Sequence, residues 1–111
     1  MDLYNELQNK IETLNIAINE LKENGKKYAS SYSKYRIELA KELTRLKNEG
    51  VAVTLAYDIA RGKEEIANLK FEEIKCESYY KASQERVNVL KLQIRILDSQ
   101  LQREYTNKYG V

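Results

Sequence analysis

Proline does not occur anywhere in the 111 residues, so nothing in the chain forbids a long, uninterrupted helix. Histidine is absent as well, which removes the side chain most often used as a general base or a metal ligand. The one cysteine, Cys76, has no second thiol to pair with, and this excludes a disulfide-stapled scaffold of the secreted kind. Nor is there a histidine to activate it as a nucleophile, so it reads as a small residue of a helix seam. Glycine occurs four times, too sparsely for a phosphate-binding loop, and the pattern GxxxxGKS/T is missing. Apolar runs are only a few residues long, so neither a transmembrane span nor a signal-peptide core is expected. A cytoplasmic location follows as the expectation. A net charge of +2 and a pI near 8.6 are too mild to argue for nucleic acid on their own.

What the chain does contain is a ladder. From Tyr4 a large apolar or small residue recurs at alternating steps of three and four: Tyr4, Leu7, Ile11, Leu14, Ile18, Leu21, Gly25, Tyr28, Tyr32, Tyr35 and Leu39. That spacing is the seam of a long helix packed on another helix. A second ladder, Val87, Leu90, Ile94, Leu97, Leu101 and Tyr105, runs near the C-terminus. It weakens between Lys70 and Glu85, where Glu73 and Ser83 fall on the stripe. Nine of the aromatic residues are tyrosine and one is phenylalanine. Tyrosine can bury its ring while its hydroxyl stays wet or bonded, which suits a thin bundle.

The pattern predicts an all-α chain with one helical domain over residues 1–111. The first helix is expected over 2–48, with Asp2 as N-cap and Glu49-Gly50 as its stop. The second is expected over 63–108, with Glu64 and Glu65 in its first turn. Between them, residues 50–62 form a connector in which Val51 and Val53 run extended, Thr54 caps a short helix and Gly62 ends it. A DNA-reading helix–turn–helix is disfavoured there, because the helix that follows is very long rather than short with a base-reading face. Gly25 is the place where the first helix would bend, yet the ladder neither gains nor drops a residue across it. One helix with Gly25 on its inner face is therefore expected, and Gly25, Gly50 and Gly62 are the candidate hinge or kink positions.

Two helices of about 45 residues would fold back as an antiparallel hairpin, with facing positions summing to about 111. Charges support that orientation. Residues 2–25 carry two basic and five acidic side chains, and 86–109 carry five basic and two acidic. Residues 26–47 carry seven basic and two acidic, and 64–85 carry three basic and six acidic. Opposite signs thus face each other along both halves, which favours one orientation over others. A lone helix pair buries little more than its seam. Ile16, Ala17, Ile37, Ala40, Leu43, Val89, Leu92 and Ile96 widen the apolar stripes beyond it, so more than one packing neighbour is expected. Dimerisation into a four-helix bundle is the preferred solution, and a dedicated partner protein is the other.

No catalytic constellation is present, and neither a cofactor nor a metal is expected. Glu64-Glu65 and Glu72-Glu73 read as a dipole-matched helix start and a solvated face rather than inward carboxylates. The candidate interaction residues are the tyrosines Tyr28, Tyr32, Tyr35, Tyr79 and Tyr80, with Lys26, Lys27 and Arg36 beside them. These rings either interlock with the serines and alanines across the hairpin or stand exposed as recognition anchors. Packing is favoured, because Tyr28, Tyr32 and Tyr35 lie on the ladder. The basic stretch interleaved with tyrosine could also track a phosphate backbone while rings stack on bases.

Three stretches also carry a resemblance: the opening Asp2-Leu3-Tyr4-Asn5-Glu6-Leu7-Gln8, the corner Gly50-Val51-Ala52-Val53-Thr54 with Asp58-Ile59-Ala60-Arg61-Gly62, and Tyr80-Lys81-Ala82 onward through Glu85, Asn88, Lys91, Ile94, Leu97, Gln100, Arg103 and Glu104. Together they resemble short coiled-coil proteins encoded by phages and prophages of Gram-positive bacteria, from regions of replication and recombination genes. The similarity covers nearly the whole chain and is most specific at the Val-Thr corner and the C-terminal helix. One departure is Arg103-Glu104-Tyr105, where such proteins tend to end in Arg-Glu-Trp. The resemblance implies a non-enzymatic accessory to phage DNA metabolism, acting in the cytoplasm of the bacterial host by docking onto a phage or host protein. The alternatives are an inhibitor of a host antiviral nuclease, of the anti-CRISPR kind, and a direct single-strand-binding accessory.

Overall fold

The computed structural model describes residues 2–110. In chain order they form α1 (Leu3–Asn48), α2 (Val53–Gly62) and α3 (Glu64–Tyr109), with no strand among the described residues. The all-α expectation and the two long helices stand, each within a residue of its expected ends. Among the described residues no helix is long and apolar enough to cross a membrane.

The helix ends follow from local chemistry. Asp2 Oδ1 accepts a hydrogen bond from the Tyr4 N–H at 2.9 Å, satisfying one of the donors that α1 leaves open. At the other end Gly50 takes φ +85°. Its N–H bonds to the Lys47 carbonyl at 3.0 Å, and the Val51 N–H reaches the Leu46 carbonyl at 3.1 Å. Those two bonds form a Schellman motif, and the contact of Val51 with the cluster holding Leu46 is its usual apolar companion. α1 passes through Gly25 as unbroken helix, as the uninterrupted ladder expects.

The connector differs from its expected form. Ala52, not Thr54, is the N-cap of α2, and no side chain caps it. Val53 is helical rather than extended. The Ala56 N–H bonds to the Ala52 carbonyl at 2.8 Å, and a helix begun after Thr54 would forfeit that bond. Starting at Val53 also turns Ala56 and Ala60 into a cluster with Tyr35, Leu46 and Ile66. Burial of two alanines thus overrides the β preference of Val53, while Val51 stays outside the helix. α2 does end at Gly62, but without a left-handed residue; the chain leaves the helix through Lys63 at φ −67°, ψ 130°.

Contacts divide the chain into two compact units, Met1–Glu23 with Lys81–Val111, and Asn24–Tyr80. In the first, Ala17, Val87 and Leu90 form the buried cluster, with Leu14, Ile18 and Leu21 packed against it. Ala17, expected off the seam, is 1% exposed and clusters with Val87 and Leu90. Arg86 bonds to Glu20 across the same pair. In the second unit α1, α2 and α3 share the cluster around Leu46, and Leu39, Leu43, Val51 and Leu69 complete it.

The antiparallel pairing is present in each unit, but its register is not the expected one. A sum of 111 would set Glu42 opposite Leu69 and Tyr28 opposite Ser83. Instead Glu42 meets Lys63 and Tyr28 meets Glu77, an offset of about six residues. The reason lies in α2. It packs along the last turns of α1, with Ala56 and Ala60 clustered with Leu46, so α1 extends past the start of α3. Had the connector merely spanned the two ends, the register would have centred on it.

Two substitutions distinguish the glycines by their backbone. Gly50→Ala forces a Cβ into the left-handed region and is expected to cost about 1–2 kcal/mol. Gly62→Ala meets open space at an ordinary helical φ and is expected to be neutral or stabilising by up to about 1 kcal/mol. Urea unfolding followed by circular dichroism measures both, and equal effects would contradict the assigned backbone.

Candidate functional site

In the unit Asn24–Tyr80 the ladder changes character from aliphatic to tyrosine, and the tyrosines gather around a glycine. A Cβ built on Gly25 would stand 3.2 Å from Tyr80 Cε1. The helical glycine therefore admits a ring from α3 against the backbone of α1. The Tyr80 ring lies 5.9 Å from that of Tyr28, tilted by 31°. Tyr28 in turn makes an edge contact with Tyr32 at 6.5 Å and 72°. Such offset and edge arrangements match the ring quadrupoles. An open groove of about 490 Å³ runs over this cluster, lined by Gly25, Tyr28, Ala29, Tyr32 and Tyr80.

The hydroxyl of Tyr28 donates to Glu77 Oε2 at 2.7 Å. That hydrogen bond, then burial, then the charges of Glu77 and Glu73 push the Tyr28 pKa up to about 12. Tyr28 is accordingly a neutral donor throughout the physiological range. Arg36 lies over the Tyr32 ring at 5.9 Å, close enough for a cation–π contact.

Two glutamates sit on the seam of this unit and are buried, Glu42 and Glu73; the solvated face expected for Glu72-Glu73 therefore holds for Glu72 alone, because Glu73 falls on the stripe. Lys70 bonds to Glu73 Oε2 at 2.7 Å and places its ammonium 4.8 Å from the centroid of the Tyr35 ring. The bond to Glu73 raises the Lys70 pKa against the opposing effect of burial. Glu42 is gripped by Arg45 through both carboxylate oxygens, at 2.5 and 3.2 Å, and by Lys63 at 3.1 Å. The hydrogen bonds from Arg45 and Lys63, against the desolvation that opposes them, hold its carboxyl at about 2. Arg45 also reaches Glu49 at 2.7 Å. The Glu42–Lys63 pair ties α1 to the start of α3, so it reports on the register described above.

The structure separates the eight expected interaction residues. Tyr28, Tyr32 and Tyr80 come together, with Arg36 on Tyr32. Tyr35 is buried in the cluster with Leu46 rather than joining them. Tyr79 is exposed and lines no part of the groove. Lys26 and Lys27 line a neighbouring hollow of about 400 Å³ with Ser30, Ser31, Lys34, Leu69 and Glu72. Among the described ion pairs none uses Lys27 or Lys34, whereas Lys41 and Arg45 are taken up by Glu38 and by Glu42 and Glu49. Glu42 was not a candidate. The signal for it was the ladder itself, which continues from Leu39 through position 42 to Leu46 at the same spacing. Among the described residues no three acidic or thiol groups converge as a metal site requires. What the cluster presents is the rings of Tyr28, Tyr32 and Tyr80, with the Arg36 guanidinium over one of them.

Comparison with protein-family models, with curated proteins and with solved structures finds no match for the chain.

Two outcomes test this geometry. Gly25→Ala should gain helix stability, by about 1 kcal/mol in an open helix, but less here because the Tyr80 ring must move. In a Tyr80→Ala background the full gain should return, giving a coupling of about 0.5–1 kcal/mol in a double-mutant cycle. The same gain in both backgrounds would place the ring elsewhere. For Glu42 the folded pKa lies below that of the unfolded chain, so its contribution is present above the ordinary carboxylate range and lost as pH falls through about 2. Glu42→Gln should therefore be less stable than the parent at pH 7, with the two urea midpoints converging towards pH 2.

Proposed function

We propose that the chain is a non-enzymatic, self-associating interaction protein that docks onto a protein of DNA metabolism. The observation that carries this is where the large apolar side chains lie. α2 turns Ala56 and Ala60 inward, while Val53, Leu55 and Ile59 stand 67%, 55% and 43% exposed. Phe71 and Ile74 on α3 are likewise exposed. A chain that folds with alanines inward and leucine and isoleucine outward has apolar surface available for another molecule. The α2 face lies at the corner that also carries the resemblance to phage-encoded coiled-coil proteins, which supplies the setting: a bacterial host and a partner acting on DNA. An inhibitor of a host antiviral nuclease is a special case of the same docking.

A second reading, direct binding of single-stranded nucleic acid, has its own support. Lys27 and Lys34 are free of the described ion pairs and line one hollow with Ser30, Ser31 and Leu69. Phosphate contacts from those lysines would make binding strongly salt-dependent.

The test uses tagged protein and a surface variant, Leu55→Ser with Ile59→Ser, whose helix content and melting should match the parent because both side chains are exposed. From nuclease-treated lysate of infected cells, the parent is expected to retain one stoichiometric protein that the variant loses. Retention by both would remove α2 as the docking face. Recovery abolished by nuclease for the parent would transfer the function to nucleic acid.

A further inference from the structure

α3 is a helix with two apolar faces. One holds Val87, Leu90, Ile94 and Leu97, of which Val87, Leu90 and Leu97 are buried. At 100° per residue, Val89, Leu92 and Ile96 fall on the opposite face. These three are 50%, 51% and 50% exposed, and their spacing of three and four is that of a coiled-coil seam. A helix with apolar stripes on both sides is one that packs between two neighbours. α1 supplies one of them.

The charges at the ends of the second stripe identify the other. Continued at the same spacing, the stripe reaches Glu85 on one side and Ser99 and Arg103 on the other. Both Glu85 and Arg103 are exposed, and among the described ion pairs none uses either. We propose that two copies of the chain pair antiparallel through this face, Leu92 of each copy against Ile96 of the other and Glu85 of each against Arg103 of the other. This rests on the reading of the chain as self-associating and names its interface.

The alternatives fail on electrostatics. A parallel pairing of the stripe stacks Glu85 on Glu85 and Arg103 on Arg103, two repulsive layers. An antiparallel pairing shifted by one heptad in one direction sets Glu85 against Ile96. The opposite shift sets Arg103 against Leu92. Each buries a charge against an apolar layer with nothing to pair it. The register with Leu92 on Ile96 also sets Val89 against Ser99, so no charge is left on an apolar layer. The stripe is complementary to itself in one orientation and one register, which makes a second copy the fitting occupant.

Sedimentation equilibrium on the full chain, over a concentration series up to about 100 μM, tests this with four proteins. These are the parent, Glu85→Arg, Arg103→Glu and the variant carrying both changes. The parent is expected to dimerise, and each single reversal to weaken the dimer by about tenfold or more, since like charges then meet twice across the twofold axis. The double reversal should restore it to within about threefold of the parent, with unchanged helix content throughout. A parent dimer indifferent to all three changes would overturn this interface while leaving self-association standing. A monomeric parent at the top concentration would overturn both. A monomeric parent whose partner capture is lost on Leu92→Ser would assign the face to a different protein.

Discussion

An α-helix turns once every 3.6 residues, and a seam that repeats every seven residues needs a contact every 3.5. α1 and α3, each of 46 residues, hold such a seam from Tyr4 to Leu46 and from Ile66 to Leu101, and everything else in the two units depends on its staying in step. The absence of proline allows it, and the steps of three and four enforce it. In α3 the run Ile66, Leu69, Glu73, Cys76, Tyr80, Ser83, Val87, Leu90, Ile94, Leu97 and Leu101 keeps the alternation without a fault, even where the residue is a glutamate, a serine or a cysteine. The spacing is retained where hydrophobicity is not. The seam is therefore a geometric constraint first and a source of apolar burial second.

That ordering explains the polar middle of the molecule. A buried carboxylate on a helix seam contributes little stability compared with a leucine in the same place, but it accepts only an alignment that brings a cation to it. Arg45 and Lys70 pair with Glu42 and Glu73 within their own helices in any alignment, so what the alignment decides is the Lys63 bond to Glu42 and the seating of the Lys70 ammonium on the Tyr35 ring. Shifting α3 by one heptad would separate Glu42 from Lys63 and draw Tyr80 away from Gly25. The small residues act in the same direction. Gly25 admits the Tyr80 ring, and Ala17 is fully covered beside Val87 and Leu90.

A pair of helices with a polar, tyrosine-rich seam has few places to bury large aliphatic side chains, and many of them stay outside. Scattered exposed leucines carry no message on a soluble protein. Here they are ordered: Leu55 and Ile59 one helical turn apart, Phe71 and Ile74 likewise, and Val89, Leu92 and Ile96 at seam spacing. Repeating at helical intervals, they match the surface of another helix better than that of a small ligand.

The sequence by itself determined the two long helices, their ends and the antiparallel orientation, because these rest on local properties: periodicity, an aspartate cap, a glycine able to take a positive φ, and blocks of opposite charge. The ladder put Tyr28 and Tyr32 on the seam, but which ring of α3 meets them, and the burial of Glu73 instead of its place on a solvated face, depend on the register. The register, the start of α2 and the burial of Ala17 were decided by the tertiary structure alone. Each depends on how closely two backbones approach, a quantity set by the summed packing of residues far apart in the chain. Val51 and Val53 favour extended backbone locally, and only the packing of Ala56 and Ala60 with Leu46 draws Val53 into a helix. That same packing carries α1 past the start of α3 and so selects which tyrosine meets which glutamate.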